Sequence, residues 1–196
     1  ETADYVFDGL KKKPYNELDA ASPINVYGKT KLDGENAIMS SMSNDAVIIR
    51  TSWLYSEYGN NFVDTILSLA KERKELNIVS DQIGSPTYAH DLATSILKII
   101  ESNKFSKTIQ TSEVLHYSND GKCSWYDFAT EIVNISGIEC SIKSISSKDY
   151  PQTAKRPKHV LLDKSKIKDS FGLEIIYWKD SLNKCIQVLS NSSSSN

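Results

Sequence analysis

The sequence predicts an α/β fold organised on a parallel sheet. Two patterns carry this expectation. Short apolar runs alternate with segments of helical periodicity along the whole chain, and the connections between them are short except around residues 8–25. The clearest run, Ala46-Val47-Ile48-Ile49, is continuous rather than alternating, which suits a strand buried on both faces of a parallel sheet. The chain has 196 residues, 39% of them apolar, with a net charge of −2, enough for one domain or two small ones with a real core. Ten Tyr, five Phe and three Trp with so small a net charge exclude disorder as the dominant state. No apolar run approaches the roughly eighteen residues of a membrane span, and no basic-then-apolar leader opens the chain. The near-neutral balance gives no footprint for nucleic acid. Cys123, Cys140 and Cys185 are odd in number and form no CxxC pair, so reduced thiols in a cytoplasmic protein are expected.

The elements follow in order. Residues 1–7 read as a strand, and Asp8-Gly9 with Lys11-Lys12-Lys13-Pro14 as a turn and solvated loop. A helix is expected from Gly28 to Met42, a strand over 46–49, and a second helix from Asn61 to Glu72 with Phe62, Ile66, Leu69 and Ala70 on one side. Leu76–Val79 is a short strand, Gly84-Ser85-Pro86 a break, and Tyr88–Ile100 a third helix with His90-Asp91 in its first turn. A strand near Thr108–Tyr117 leads to the turn Asn119-Asp120-Gly121. Ser124-x-x-Asp127 reads as a capping box opening a fourth helix, with Trp125, Phe128, Ala129, Ile132 and Val133 as its apolar face. Ile142–Ile145 is a strand, Lys155–His159 a basic loop, Leu182–Leu189 a closing helix, and Ser190–Asn196 a frayed tail. His90, His116 and His159 are scattered and do not suggest a metal site.

Tyr27-Gly28-Lys29-Thr30-Lys31 contains Tyr-x-x-x-Lys. On a helix this spacing sets an ammonium beside a phenol and favours the phenolate, the chemistry a carbonyl reduction needs to protonate the developing alkoxide. Ten tyrosines among twenty lysines in 196 residues produce about one such pair by chance, so the spacing alone decides little.

Its surroundings decide more. Asp4-Tyr5-Val6-Phe7-Asp8-Gly9, Ser22-Pro23-x-Asn25-x-Tyr27-Gly28-Lys29-Thr30-Lys31, Arg50-Thr51-Ser52-Trp53-Leu54-Tyr55, Val79-Ser80-Asp81-Gln82-x-Gly84-Ser85-Pro86-Thr87, Ser124-Trp125-Tyr126-Asp127-Phe128-Ala129 and Arg156-Pro157 occur in that order. The series resembles the dTDP-4-dehydrorhamnose reductases, a branch of the extended short-chain dehydrogenase/reductases, over almost the whole chain. The resemblance implies the C-terminal part of a Rossmann-type doubly wound parallel sheet plus a smaller α/β substrate-binding lobe. Residues 1–55 would end the NAD(P)-binding lobe, and 56–196 would form mainly the substrate lobe, with a segment near 80–101 returning to the first.

It further implies reduction of the C4 keto group of dTDP-4-dehydro-6-deoxy-L-mannose to dTDP-L-rhamnose, with NADP or NAD as cofactor, in polysaccharide biosynthesis. Mg²⁺ is left open, and a homodimer is the assembly considered. Tyr27 would be the proton donor, and Lys31 would hold the nicotinamide ribose and tune Tyr27. Ala3, Asp4 and Trp53 fall on substrate positions, Trp53 as an apolar wall for the methyl-bearing edge of the sugar, and Arg156 is placed to bind a nucleotide phosphate. Asp81, Gln82 and Thr87 form a loop that either lines the site or bridges the lobes.

One departure stands out. The family carries a hydroxyl residue just before the Asp of the DYVF block, where this chain has Ala3. Thr2 points to the opposite face of a strand and does not replace it. Losing that donor costs about 10²–10³ in rate if nothing substitutes, so a slowed enzyme is expected. None of the eight glycines forms a GxGxxG or GxxGxxG turn for a pyrophosphate. The chain is therefore expected to be the C-terminal two-thirds of a reductase, with poor NAD(P) binding and no turnover by itself. Two alternatives stay open: a reductase or epimerase acting on another nucleotide sugar, and a non-catalytic regulatory subunit with the same fold.

Overall fold

A parallel three-stranded sheet forms around a central strand that opens on three apolar residues and is buried over its last four, so it needs cover on both faces. The computed structural model describes residues 2–42, 46–102, 112–150 and 154–193. The central strand is β2 (Val47–Thr51). On one side it pairs with β1 (Thr2–Ala3), Thr2 lying opposite Arg50 and Ala3 opposite Thr51. On the other it pairs with β7 (Glu113–His116), so that Arg50 also faces His116. Three two-stranded pieces complete the ladders. β3 (Leu54–Tyr55) is parallel to β6 (Thr87–Tyr88), and β4 (Glu75–Val79) is parallel to β9 (Ser141–Ile145). β5 (Ile83–Gly84) is antiparallel to β8 (Cys123–Ser124).

The helices are α1 (Val26–Ser41), α2 (Phe62–Glu72), α3 (Ala89–Glu101), α4 (Trp125–Ser136), α5 (Ser165–Phe171) and α6 (Trp178–Ser193). Capping explains several of the boundaries. Asn61 accepts from the Val63 and Asp64 amides at the start of α2. Ser124 and Asp127 form the expected reciprocal box on α4, the Asp127 amide donating to Ser124 Oγ at 3.0 Å and the Ser124 amide to Asp127 Oδ2 at 2.9 Å. Gly137, in the left-handed region at φ 67°, ends that helix.

Apolar side chains gather in three places. The largest cluster joins Tyr55, Ile66, Phe128, Ile132, Trp178 and Leu182 beneath α2, α4 and α6. A second packs Leu92 and Ile99 of α3 against Ile49, Leu115, Ile167 and Leu173. The third holds Val6, Phe7, Tyr15, Val160 and Leu162, and so ties the long 8–25 connection to the chain near residue 160. A polar knot links the regions: the Asn119 side-chain amide donates to Asp91 Oδ2 at 2.8 Å and to Ser181 Oγ at 2.9 Å, while its oxygen accepts from the Tyr88 amide.

Two sequence expectations change, a third falls partly outside the described residues, and one helix is additional. The strand over residues 1–7 stops at Ala3, and Asp4–Val6 turns into a 3₁₀ helix because Val6 and Phe7 drive into the third cluster, both fully buried. The strand near 108–117 is seen over Glu113–His116, residues 108–111 lying outside the described residues. The closing helix starts at Trp178 and continues to Ser193, so the tail expected to fray at Ser190 is helical there. Helix α5 was not expected from the sequence. It offers one buried apolar residue, Ile167, which is too little to show periodicity.

Candidate active site

Tyr27 and Lys31 share one face of α1, as their spacing requires: Lys31 Nζ lies 5.7 Å from the Tyr27 ring centroid. Tyr27 sits in the first turn and is half exposed, with its ring edge-on to Tyr5 at 5.6 Å. Two local features fix this turn. Asn25 caps it by accepting from the Gly28 amide at 2.8 Å, and the same side chain donates to the Lys155 carbonyl at 2.9 Å, which holds the Arg156 loop against the helix start. Gly28 then allows the helix to touch the 3₁₀ turn. A Cβ there would fall on the Tyr5 carbonyl oxygen and lie 3.0 Å from Pro23 Cβ.

The second group of predicted residues meets across a short gap. Asp4, Tyr5, Trp53, Gln82 and Trp125 line one small cavity. Trp53 lies between β2 and β3 with φ 46°, a left-handed conformation that is costly for a bulky side chain. Its indole stacks on Trp125 with centroids 3.6 Å apart and planes 11° from parallel. Gly84 backs the ring, since a Cβ there would stand 2.5–2.8 Å from three indole atoms. Asp4 is buried, and loss of water pushes its carboxyl up to about 7, against the opposing pull of the Asp4 and Tyr5 amides. Burial also raises the Tyr5 phenol, which the nearby Arg156 charge partly offsets.

Arg156 connects two clefts. One, of about 530 Å³, is bounded by Tyr5, Asn25, Tyr27 and Lys155. The other, of about 410 Å³, is walled by Phe62, Trp125, Tyr150 and Gln82, with Arg73 at its edge. A third cleft, of about 590 Å³, opens beside Thr2, Thr30, Lys31 and Glu35. Thr2 borders it, its hydroxyl buried and without a hydrogen-bond partner among the described residues. Ala3 is buried and brings no hydroxyl.

The predicted site residues thus fall into two neighbouring groups, Tyr27–Lys31–Arg156 and Asp4–Trp53, joined through Tyr5. The 81–87 loop faces two ways. Gln82 lines the clefts, whereas Asp81 accepts from Ser147 and Lys158, and Thr87 accepts from the Thr51 hydroxyl at 3.3 Å. Trp125 and Tyr5 were missed as site residues. The Ser-Trp-Tyr-Asp block marked Trp125, but its place on the apolar face of α4 hid its contact with Trp53.

Comparison with known proteins places this geometry. The model of the RmlD substrate binding domain matches residues 2–191. The chain belongs to the RmlD substrate binding domain family. The spore coat polysaccharide biosynthesis protein SpsK of Bacillus subtilis is 40% identical over 190 residues, covering 97% of this chain and 64% of SpsK. The crystal structure of a dTDP-4-dehydrorhamnose reductase from Clostridium acetobutylicum superposes with a TM-score of 0.88 at 40% identity, covering 96% of this chain and 64% of that one. The Bacillus anthracis dTDP-4-dehydrorhamnose reductase, crystallised with NADP, gives 0.85 at 36% identity, over 95% and 63% of the two chains. The chain therefore spans just under two thirds of the length of these relatives.

Within this RmlD-type framework the α/β class and parallel strand pairing agree with the sequence expectation. Lys31, its ammonium near the Tyr27 ring and its cleft bordered by Thr2 and Thr30, offers a donor that fits a polyhydroxylated, ribose-like group. Among the described residues no group of three His, Cys, Asp or Glu side chains is arranged to hold a metal ion, and no helix is long and apolar enough to cross a membrane.

Proposed function

We propose that the protein reduces the C4 keto group of a dTDP-activated 4-keto-6-deoxyhexose, dTDP-4-dehydro-6-deoxy-L-mannose first, giving dTDP-L-rhamnose. The observation that carries this is the half-exposed Tyr27 with Lys31 over its ring, opening on a cleft shared with Arg156 and set beside the Trp53–Trp125 pair. Tyr27 Oη gives its proton to the keto oxygen, and the Lys31 ammonium favours the phenolate left behind. Lys31 would hold the ribose of NADP or NAD. A reduced nicotinamide, when bound, supplies the hydride. The indole pair excludes water and offers an apolar surface to the deoxy edge of the sugar. Arg156, with Arg73 beyond it, supplies planar cations for the diphosphate. In this assignment residues 1–55 close the cofactor lobe and 56–196 form mainly the substrate lobe, with 80–101 packed back on the sheet.

The test is nicotinamide oxidation by the full-length protein with that sugar nucleotide. Turnover, and a loss of about 10²-fold or more in Tyr27→Phe, are expected. Turnover only with a different nucleotide sugar would move the substrate and keep the chemistry. A second function is favoured by one observation, the missing hydroxyl at Ala3: a non-catalytic subunit, in which no sugar nucleotide turns over. Ala3→Thr separates the cases, because restoring a donor raises a slow rate by up to about 10²-fold and creates none where the chemistry is absent.

A further inference from the structure

Helix α1 buries two of its sixteen residues, Gly28 and Glu35. Glu35 is unusual there, a carboxylate only 4% exposed. Its partner is Arg50 of β2. Arg50 Nε donates to Glu35 Oε1 at 3.0 Å and to Oε2 at 3.1 Å, and Nη2 donates to Oε2 at 2.6 Å. The same guanidinium lies 5.1 Å from the Phe7 ring centroid. The Arg50 backbone stands opposite Thr2 on one side and His116 on the other. One residue therefore meets the helix carrying Tyr27, the strand leading to Asp4, and the turn that follows it, three positions before Trp53.

Glu35 also follows Lys31 by four residues, the spacing at which an ammonium and a carboxylate on a helix attract each other. Both side chains border the same cleft. Lys31 thus has two possible partners, Tyr27 one turn before it and Glu35 one turn after. The planar fork of Arg50 engages both Glu35 oxygens and removes that competition. The other groups facing Tyr27 come from neighbouring elements: Tyr5 and Asp4 in the 3₁₀ turn, and Lys155 and Arg156 in the loop held by Asn25. None of these is placed to occupy Glu35.

We infer that Arg50 is a positioning residue for the Tyr27–Lys31 pair, holding Glu35 so that the Lys31 ammonium stays with the phenol. The inference rests on Tyr27 being the proton donor. It goes further in naming which buried ion pair sets the electrostatics of that donor, and why an arginine is needed where another cation would balance the charge.

The titration uses the full-length protein without cofactor, and turnover is measured separately with reduced nicotinamide. The difference in tyrosinate absorbance between wild type and Tyr27→Phe reports Tyr27 alone, and the titration is repeated on an Arg50→Met background. The Tyr27 midpoint is expected to rise by about one pH unit, and kcat at neutral pH to fall about tenfold with a smaller change in KM for the sugar nucleotide. Adding Glu35→Gln to Arg50→Met removes the competing carboxylate and returns the midpoint to the wild-type value. A pair that only stabilises the fold would lower the unfolding midpoint in both variants and leave the Tyr27 titration unmoved, which would overturn the inference. Should Arg50→Met fail to fold, Arg50→Lys retains the charge without the fork. A smaller upward shift supports the inference, and no shift overturns it. A wild-type Tyr27 that already titrates like an ordinary tyrosine sinks both the proton-donor assignment and this one. A low midpoint unmoved by Arg50 substitution sinks this one alone.

Discussion

Helices α1 and α4 are secured in opposite ways. α4 lays Phe128, Ala129, Ile132 and Val133 into the largest apolar cluster, with a capping box at one end and a left-handed glycine at the other. α1 has no such stripe; it is docked by Gly28 against a backbone carbonyl and by Glu35 in an ion pair. An apolar stripe supplies area and tolerates small shifts. A backbone contact and a forked ion pair supply little area but define one position. The contrast suggests that the lobe around α4 carries stability while α1 carries geometry, so substitutions in the two regions should separate folding from turnover.

The largest stability effect belongs to the apolar side. Leu182, fully buried on α6 within the cluster under α4, lies away from every cleft described above. Leu182→Ala is expected to cost about 2–5 kcal/mol in denaturant unfolding, with kcat of the folded protein in the proposed reaction within about twofold of wild type. A large fall in kcat with little loss of stability would break the proposed division.

Next comes pH, which should act on the α1 side and spare the apolar cluster. Burial raises Asp4 to about 7 from 3.8, so between those values the folded protein holds a proton that the unfolded chain has released. The contribution of Asp4 is therefore complete below 3.8 and is lost as pH rises through 7. His116, buried against Phe7 and near the Arg50 charge, is held at about 4 rather than 6.5. Its contribution is complete above 6.5 and is lost as pH falls through 4. The two oppose each other between 4 and 6.5. Asp4→Asn should remove one arm, so that relative to wild type the variant gains a few kcal/mol between pH 4 and pH 8. Parallel unfolding curves for the two proteins across that range would show that Asp4 does not carry the effect.

What was legible in the sequence follows the same division. The Ala46–Ile49 run, the α2 periodicity and the Ser124–Asp127 box rest on local pattern, and each appears as an element close to its expected bounds. Tyr27 and Lys31 were legible because four residues on a helix fix their relation. Other features depend on contacts between distant segments, which no local pattern records. The left-handed backbone of Trp53, its stacking on Trp125 and the room left by Gly84 join three separate stretches of chain. Glu35 is buried by Arg50, fifteen residues later in the chain, a contact that no local pattern on α1 records.

Gly28→Ala tests the geometric side directly. The added Cβ meets backbone, which cannot swing aside, so the start of α1 must move away from Tyr5. A displacement near 1 Å at Tyr27, the proposed proton donor, is expected to cost about 10²-fold in kcat/KM. The stability loss should be smaller than for Leu182→Ala, about 1–3 kcal/mol. Wild-type turnover in this variant would mean that the helix start is free to shift without consequence, contrary to the positional role assigned to it.

The smallest effect comes from the same helix six residues on. At Gly34 an added Cβ meets nothing within 4 Å, and the residue lies on the exposed side of α1. Gly34→Ala should therefore raise stability by about 0.5–1 kcal/mol, because alanine loses less backbone freedom on entering a helix and no contact opposes it. Paired with Gly28→Ala, it separates two reasons for a glycine in one helix: close approach at the first position and none at the second. If Gly34→Ala instead destabilises the full-length protein, the outer face of α1 is covered by further chain or by a second copy. Its position would then be set from both sides rather than by Gly28 and the Glu35–Arg50 pair alone.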